Sequence, residues 1–393
     1  MSENSQINFE DTAIGFASRS TKELKRVYLL FLSMRFSWMV EVGTFLATLA
    51  LKLKLPVKGI IKKSLFQQFC GGESIPDCQQ SIDHLESFNI KTILDYSVEG
   101  LESEESFDHT MEEALRIADY AKTASGIPFC VVKLTGLGSS TVMEKVQSKQ
   151  ELSREEEASF ERFKGRVKKI ADRVAGNQLR FMIDAEETWI EDVIDGIALE
   201  LMEKYNQNGP VVYITYQLYR KEALKKLEKD YKQITKRGCF FAAKLVRGAY
   251  MEKERDRAKE LGYPDPIQDT KEKTDDDYKN ALAFAIQHID NFALCAGTHN
   301  EQSSQVLAAL MEQNQLPRND ERVYFAQLFG MSDNISFKLS DLGYNVAKYV
   351  PYGPVDKVLP YLFRRAEENT SIAGQSSREY TLIKKELKRR KRI

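Results

Sequence analysis

The feature that most constrains the fold is a series of short apolar runs, rich in Val, Ile, Phe and Tyr, that begins at Lys91. Charged stretches long enough for crossover helices separate the runs. Each run is apolar on both faces, which is typical of parallel strands buried on both sides. The runs are 91–96, 129–135, 179–185, 210–217, 239–248, 292–300, 322–328 and 345–351. Eight strands alternating with helices over about 280 residues predict a (βα)₈ barrel.

The rival interpretation of this alternation is a doubly wound open sheet. No GxGxxG turn follows any of the runs, so a dinucleotide-binding half is not indicated. The chain has 393 residues, more than the about 250 that a barrel needs. Residues 1–88 show helical spacing of apolar residues. We therefore predict an α/β chain: an N-terminal helical region (1–88), a (βα)₈ TIM-type barrel (89–372) and a basic C-terminal tail (373–393) that is a helix or a frayed end.

Composition narrows the possible functions and locations. The 57 basic and 58 acidic side chains give a net charge of −1, so nucleic-acid binding is not indicated. The five cysteines form no CxxC pair, and we predict buried, reduced thiols. The four histidines have no second His or Cys at ligand spacing, so no metal site is predicted. The acidic start MSENSQINFEDT resembles neither a secretory signal nor a mitochondrial leader, so we expect a cytoplasmic location.

Two N-terminal segments bear on membrane contact. Residues 27–51 have spanning length, but Arg35 and Glu41 interrupt them. A charge near the bilayer centre costs about 2.5–3.5 kcal/mol, so we predict one or two packed helices. The next segment, 52–66, mixes five lysines with aliphatic residues. It fits an anionic membrane surface and a solvated basic helix face equally well.

Nearly every apolar run ends on polar side chains. In a barrel the catalytic groups gather where the strands end, at the C-terminal face. The run ends supply ammonium, carboxylate, amide and imidazole groups: Asp95, Lys133, Asp184, Glu186, Gln217, Lys244, Arg247, Thr298, His299, Asn300, Gln327 and Tyr349. Together they predict an active site. The alternative is a set of charged pairs that only fill the barrel mouth.

A helix is predicted after the eighth run, in VPYGPVDKVLPYLFRRAEEN. Pro354 suits its start and Asn369 its end. Positions i, i+3, i+4 and i+7 place four side chains on one stripe: Tyr361, Arg364, Arg365 and Glu368. Two adjacent arginines can bind a carboxylate through forked, charge-assisted hydrogen bonds. The stripe predicts a small-anion site, most simply for an amino-acid carboxylate; arginines that extend over the barrel rim into water are the alternative.

A second local feature is the pair Gly248–Ala249, which follows a run carrying Lys244 and Arg247. Small residues at this point let a flat ring or a phosphate approach the backbone. The two cations would face negative charge that develops there. The segment therefore favours a cofactor site at the end of the fifth run.

Seven motifs, in order, resemble those of the proline dehydrogenase family: DYSVEG, VVKLTGLG, FMIDAEET, TYQLY, KLVRGAYME, GTHN and YVPYGPVDKVLPYLFRRAEEN. The resemblance runs from about Asp95 to Asn369. It implies a distorted barrel with non-covalent FAD on its C-terminal face. It also implies oxidation of L-proline to Δ¹-pyrroline-5-carboxylate by hydride transfer from C5 to FAD, and reoxidation by a membrane quinone, ubiquinone or menaquinone. This would be the first step of proline catabolism to glutamate.

The resemblance also implies roles for individual residues. The catalytic group would be Asp184, Lys244 and Lys133. Proline would contact Lys133, Tyr250, Leu328, Tyr349, Tyr361, Arg364 and Arg365. The flavin would contact Ile183, Gln217, Lys244, Arg247, Gly248, Ala249, Lys271, Thr298, His299, Asn300 and Glu368. Glu99 resembles the acid that pairs with Arg365 to close the site.

Two positions depart from the family pattern. Several related sequences have lysine where this chain has Arg247, which alters hydrogen bonding near the flavin. Tyr349 stands where hydroxyproline-preferring relatives tend to carry a smaller polar residue. A tyrosine would crowd a ring hydroxyl, so proline is the expected substrate and a hydroxyproline-preferring dehydrogenase is the alternative.

The resemblance further implies a monofunctional enzyme, because no large aldehyde dehydrogenase domain is appended. Pyrroline-5-carboxylate dehydrogenase would then be a separate partner. We expect a peripheral protein on the inner face of the cytoplasmic membrane, or alternatively on the matrix side of the mitochondrial inner membrane. Two other classes stay open: a flavin-free Schiff-base aldolase that uses Lys133 or Lys244, and a non-enzymatic membrane-associated scaffold.

Overall fold

The eight apolar runs each contain a β-strand. The computed structural model describes residues 7–53, 56–98, 102–371 and 375–391. Within them, parallel strands close into a barrel in chain order. The strands are β1 Ile90–Tyr96, β2 Phe129–Val132, β3 Arg180–Ile183, β4 Val212–Gln217, β5 Phe241–Val246, β6 Phe292–Gly297, β7 Val323–Leu328 and β8 Val346–Tyr352. The predicted (βα)₈ barrel is confirmed.

Helices precede, separate and follow the strands. They are α1 Thr12–Gly15, α2 Thr21–Met34, α3 Ser37–Lys52, α4 Lys58–Ile61, α5 Gln67–Phe69, α6 Gln79–Glu86, α7 Glu104–Ala121, α8 Ser140–Gln147, α9 Arg154–Gly176, α10 Thr188–Tyr205, α11 Ala223–Lys236, α12 Met251–Leu261, α13 Lys271–Gln287, α14 Glu301–Gln313, α15 Asp333–Asp341, α16 Leu359–Ser371 and α17 Gln375–Arg390. A π-helical turn, Lys62–Phe66, joins α4 to α5. The sequence pattern did not predict α8, α12 or α15, which have 8, 11 and 9 residues.

Continuous burial of the strands explains their apolar composition. Every residue of β4 and of β8 is buried, as expected for parallel strands covered on both faces. The ladder between β5 and β6 pairs Lys244 with Cys295, so the lysine lies inside a strand rather than in a loop. Parallel strands in a closed barrel end at the same face, and this arrangement sets the location of their terminal polar side chains.

The predicted helices at both ends of the chain are confirmed. Residues 27–51 form parts of α2 and α3, which are bent by 99° relative to one another. In the described part of the chain no single helix is long and apolar enough to cross a membrane, although this bent pair passes the same test by length and composition. The tail forms α17, which packs on α2 and buries Leu382 and Ile383, so it is a helix rather than a frayed end.

The chain forms two compact units, Met1–Gly100 with Gln327–Ile393, and Leu101–Ala326. The first has its own apolar core, in which Phe31, Phe69 and Leu362 are almost fully buried. In the second, four phenylalanines of the strands are almost fully buried: Phe129, Phe181, Phe241 and Phe292. All five cysteines are buried and free, as predicted. The predicted domain bounds at 88 and 372 stay a prediction.

Candidate active site

A lysine–aspartate cluster lies at the ends of three strands of the second unit. Asp184 directly follows β3, and its backbone N–H donates to the Val132 carbonyl at 3.0 Å. Its carboxylate accepts hydrogen bonds from Lys244 in β5 and, at 3.3 Å, from Lys133, which follows β2. Lys244 is buried, whereas Lys133 is partly exposed. One carboxylate thus holds two ammonium groups in fixed positions.

The charge state of this cluster follows from its composition. Burial of Asp184 opposes ionisation, but the adjacent Lys244 and Lys133 outweigh burial and lower the pKa of its carboxyl. Asp184 is therefore ionised at neutral pH. With two ammonium groups against one carboxylate, the cluster favours binding of negative charge.

A second carboxylate in the same unit orders the loop after β2. Glu186 accepts hydrogen bonds from the Thr135 backbone N–H at 3.0 Å and from the Thr135 hydroxyl. Gln217, the last residue of β4, donates to the Glu186 carbonyl at 2.7 Å. Burial raises the pKa of Glu186 to about 7. These bonds fix the segment that starts at Lys133.

Arg247, directly after β5, is the centre of a polar network. Its guanidinium donates to Asp275 at 2.7 Å, to the Thr298 hydroxyl at 2.8 Å and to the Ser303 hydroxyl at 2.9 Å. It also lies 4.6 Å from the centroid of the Tyr278 ring. The network connects the end of β5 with the beginnings of α13 and α14.

Three predicted cofactor residues lie at the edges of this network. Lys271, the first residue of α13, pairs with Asp275 at 2.7 Å. Burial alone would raise the pKa of the Asp275 carboxyl, but the adjacent Lys271 and Arg247 outweigh burial and lower this pKa. Asn300 caps α14 by accepting from the Ser303 backbone N–H at 2.9 Å, and His299 is half-buried beside it.

Gly248 has a backbone that only glycine adopts easily. Its φ is +135°, and a Cβ at this position would come within 1.1 Å of the Tyr219 ring. The next residue, Ala249, is exposed, and its N–H donates weakly to the Gln217 side chain at 3.4 Å. The Tyr219 ring thus occupies the space that a side chain at position 248 would need. The exposed Gly248–Ala249 pair is the part of this segment that a flat ring or phosphate could approach.

The arginine stripe of α16 belongs to the first unit. Arg365 is 8% exposed, stacks at 5.3 Å over the Tyr361 ring and donates to Glu368. Arg364 is half-buried on the same stripe. Burial raises the pKa of Glu368 despite the adjacent arginines. The four side chains predicted to share one helical stripe do so.

Two buried polar atoms of this stripe lack a hydrogen-bond partner among the described residues: the Tyr361 hydroxyl and the Arg365 Nε. Leaving a buried polar group unsatisfied costs about 1–3 kcal/mol. A ligand with acceptor oxygens, such as a carboxylate, would satisfy the guanidinium N–H. These two unsatisfied atoms make the stripe a candidate binding surface.

The predicted bounds of this helix were wrong. The segment after Pro354 is a turn, closed by the Lys357 N–H donating to the Pro354 carbonyl at 2.8 Å, and α16 begins only at Leu359. Its end lies beyond Asn369, whose side chain donates to the Arg365 carbonyl at 2.7 Å instead of ending the helix. Proline at a helix start and asparagine at an end are preferences, and the local hydrogen bonds override them here.

The other predicted substrate contacts are spread over both units. Tyr349 is buried within β8, and Leu328, the last residue of β7, packs against the core of the first unit. Tyr250 precedes α12 and is half-buried, while Ile183 ends β3 and is fully buried. The predicted gate residue Glu99 lies outside the described residues.

Sequence reasoning missed several partners of the predicted residues. Asp275 and Ser303 hold Arg247, and the Tyr219 ring lies where a Cβ of residue 248 would be. The spacing of Lys271 and Asp275 suits an ion pair along a helix, but nothing in it indicates Arg247. Among the described residues, no group of three or more His, Cys, Asp or Glu could hold a metal ion.

The family model for proline dehydrogenase matches residues 78–378. The chain is 34% identical over 322 residues to the carbapenem antibiotics biosynthesis protein CarD of Pectobacterium carotovorum, covering 82% of this chain and 83% of that protein. It is 32% identical to the mitochondrial proline dehydrogenase 1 of Caenorhabditis elegans, covering 86% of this chain and 56% of that protein. The chain thus spans little more than half of the second relative.

Solved structures share the fold. Proline utilization A from Bdellovibrio bacteriovorus, inactivated by N-propargylglycine, matches with a TM-score of 0.74 and 19% sequence identity. The match covers 95% of this chain and 39% of that one. At this identity the likeness shows the (βα)₈ fold alone. The family match over most of the chain, together with the relative at 34% identity, shows that the chain belongs to the proline dehydrogenase family of oxidoreductases.

Proposed function

We propose that this chain oxidises L-proline to Δ¹-pyrroline-5-carboxylate with a non-covalently bound FAD. Family membership supports proline oxidation in catabolism, and the α16 stripe supports a carboxylate-bearing substrate. The observation that carries the proposal is the buried Arg365 guanidinium, whose Nε is unpartnered within the described residues beside an equally unpartnered Tyr361 hydroxyl.

Recognition of proline would rest mainly on charge. Arg364 and Arg365 would bind the carboxylate, with Lys133 as a further cation. Guanidinium–carboxylate hydrogen bonds are among the strongest that side chains make, at about 1.5–3 kcal/mol. The apolar pyrrolidine ring would lie against aromatic and aliphatic side chains, of which Tyr349, Tyr361 and Leu328 are the candidates.

The residues of the second unit fit a flavin. Gly248 and Ala249 are exposed at the end of β5, and the side chains of Gln217, Arg247 and Thr298 lie at the ends of β4, β5 and β6. Lys244 supplies a buried ammonium group for negative charge on the ring. When bound, FAD would take up the hydride lost from proline C5 and later give the electrons to a membrane quinone.

The protein's own contribution would be binding, orientation and charge. Proline must lose its ammonium proton first, because its nitrogen lone pair has to form the C=N bond as the C5–H bond breaks. The carboxylate of Asp184 would keep the ammonium groups of Lys133 and Lys244 in position throughout. Burial of Lys244 and Asp184 would limit water near the reacting atoms.

The expected acceptor, a quinone, resides in a membrane, so a peripheral location follows from the proposed chemistry. The relative from Caenorhabditis elegans is described as mitochondrial. We retain both locations, the inner face of a cytoplasmic membrane and the matrix side of the mitochondrial inner membrane, with pyrroline-5-carboxylate dehydrogenase as the enzyme that would consume the product.

Anaerobic titration of the purified protein with L-proline tests the proposal. We expect a yellow protein whose flavin absorption bleaches with one proline per flavin, and reappearance of colour when a soluble quinone is added. A colourless protein that is trapped by borohydride on a carbonyl substrate would instead support a Schiff-base aldolase that uses Lys133 or Lys244. A flavoprotein that proline does not bleach would refute the substrate assignment.

A further inference from the structure

The outward surface of α3 is covered with large apolar side chains. Trp38, Val42, Phe45 and Leu49 recur at i, i+4, i+7 and i+11, and each is exposed, Trp38 by 61% and Phe45 by 65%. Met39, Leu46 and Leu53 extend the same surface and are exposed as well. We call these seven residues the outer α3 face. Soluble proteins seldom expose so many large apolar side chains side by side.

The other side of α3 already has a packing partner. Val40 is 8% exposed and belongs to the core of the first unit, and Ala47 packs against that core. The helix contacts α2 and α16, so it is anchored in the fold. The outer α3 face is therefore not the side of α3 that packs against the core. It is a second apolar side that the described residues leave uncovered.

The chain segment that carries this apolar surface is rich in basic residues. Between residues 33 and 63 the chain has a single acidic residue, Glu41, and six basic ones: Arg35, Lys52, Lys54, Lys58, Lys62 and Lys63. The whole chain, by contrast, has a net charge of −1. Lys58, Lys62 and Lys63 are exposed; Lys58 pairs with Asp356 at 3.2 Å and Lys62 pairs with Glu73. Exposed ion pairs are worth at most about 1 kcal/mol, so these ammonium groups can exchange their partners for lipid head groups. A locally basic, apolar surface on a nearly neutral protein is complementary to anionic lipid.

The length of α3 fits a helix that lies in a membrane surface rather than one that crosses it. Sixteen residues span roughly 24 Å at 1.5 Å each, less than the roughly 30 Å of a hydrocarbon core. Trp38 lies in its first turn, and tryptophan is enriched at the level of lipid head groups. A second copy of the chain is a poorer occupant, because a two-fold contact through this surface would bring two basic segments together.

We propose that the outer α3 face docks on a membrane that contains anionic lipid, with its apolar side chains in the interfacial layer and the lysines against the head groups. This inference rests on the proposed function in one respect: docking is useful because it would bring the protein to the layer that holds the quinone. The test of docking does not depend on the reaction, because it measures lipid binding directly.

The experiment compares sedimentation of the full chain with vesicles of phosphatidylcholine alone and of phosphatidylcholine with phosphatidylglycerol. The unmodified protein should bind the anionic vesicles at least tenfold more tightly. Phe45→Glu/Leu49→Glu should reduce this binding at least tenfold, and Lys58→Gln/Lys63→Gln should reduce it severalfold and weaken its dependence on salt. Leu261→Glu, which alters an equally exposed apolar residue of α12, should bind as the unmodified protein does.

Proline-dependent reduction of a soluble dye is measured on every variant. Unchanged dye reduction shows that the α3 variants are folded, and loss of electron transfer to vesicle-embedded quinone in the same variants supports docking. The proposal is overturned if Phe45→Glu/Leu49→Glu binds anionic vesicles normally, or if this variant merely converts a dimer to a monomer while no form binds vesicles. Absence of dye reduction in every form, with vesicle binding retained, would refute the proposed function and leave the docking surface intact.

Discussion

The lysine–aspartate cluster and the α16 stripe are both cationic, but they differ in how their polar atoms are satisfied. In the cluster, Asp184 accepts from both Lys133 and Lys244, so the charges hold one another. In the stripe, Glu368 accepts from Arg365, yet the Arg365 Nε and the Tyr361 hydroxyl have no partner among the described residues. The lysines of the cluster are therefore held by a carboxylate of the protein, whereas the stripe keeps unused hydrogen-bonding capacity for a ligand.

The largest effect is expected from Asp184→Asn, which removes the central carboxylate of the cluster. Two close ammonium groups, one of them buried, would lose their counter-charge, and breaking a buried pair costs about 3–5 kcal/mol. We expect that loss in the free energy of unfolding, measured by denaturant titration at pH 7, together with loss of proline oxidation. Asp172→Asn, at an exposed site, serves as control and should cost under about 0.5 kcal/mol.

The dependence of this effect on pH follows from the lowered pKa of Asp184. A carboxyl whose folded-state pKa lies below its ordinary 3.8 stabilises the fold above that value, and the stabilisation is lost as pH falls through the folded-state pKa. The difference in the free energy of unfolding between the unmodified protein and Asp184→Asn should therefore be at its full value at pH 7 and should shrink in strong acid. If the difference in the free energy of unfolding stayed constant into strong acid, it would not come from the ion pairs of Asp184.

Arg365→Met and Arg364→Met test the other side of the comparison. Loss of a charged hydrogen bond to the substrate carboxylate, worth about 1.5–3 kcal/mol, should raise KM for proline by about 10- to 150-fold. The Arg365 Nε is unsatisfied, and the partner Glu368 is more exposed than Asp184, so we expect a smaller change in stability than for Asp184→Asn. Steady-state kinetics and denaturant titration give the two values.

The control for the arginine variants is Arg116→Met, which alters an exposed arginine of α7 and should leave KM unchanged. If the variants of the stripe keep normal proline kinetics, the assignment of the carboxylate site is wrong. If they lose stability and not affinity, the stripe is structural and the comparison fails.

Gly248→Ala tests the backbone beside the cluster. The added Cβ would overlap the Tyr219 ring, and φ of +135° is strained for alanine, so a cost of about 1–3 kcal/mol is expected. We expect the variant to retain less flavin after dialysis, measured by absorption. Gly238→Ala shares a positive φ but has open space around it, and should retain flavin normally. Equal retention by both variants would remove Gly248 from the cofactor site.

The smallest effect is expected from Tyr349→Ser in β8. A smaller, polar side chain should accommodate a ring hydroxyl, and changes of this size in a pocket are worth about 1–3 kcal/mol. The ratio of kcat/KM for hydroxyproline to that for proline should rise by at least about tenfold. Competition assays with both substrates measure it, and an unchanged ratio would show that Tyr349 does not contact the ring.

Outside the site, the exposed apolar residues of α3 show where sequence patterns are ambiguous. The run 27–51 predicted packed helices, and α2 and α3 are such helices. Apolar side chains lie on both sides of α3, however, and periodicity cannot distinguish a side that meets a core from one that meets a membrane. Only the packing of Val40 and Ala47 identifies which side is covered.

The sequence by itself determined the barrel and the stripe. Eight apolar runs ending on polar residues predict buried parallel strands, and the spacing of Tyr361, Arg364, Arg365 and Glu368 predicts one helical face, because both follow from local periodicity. Tertiary structure alone decided that Asp184 joins Lys133 and Lys244, that Asp275 holds Arg247 and that Tyr219 fills the space beside Gly248. These contacts join residues 28–60 positions apart in the chain, and no local pattern encodes which of many charged or aromatic side chains will meet when the strands close.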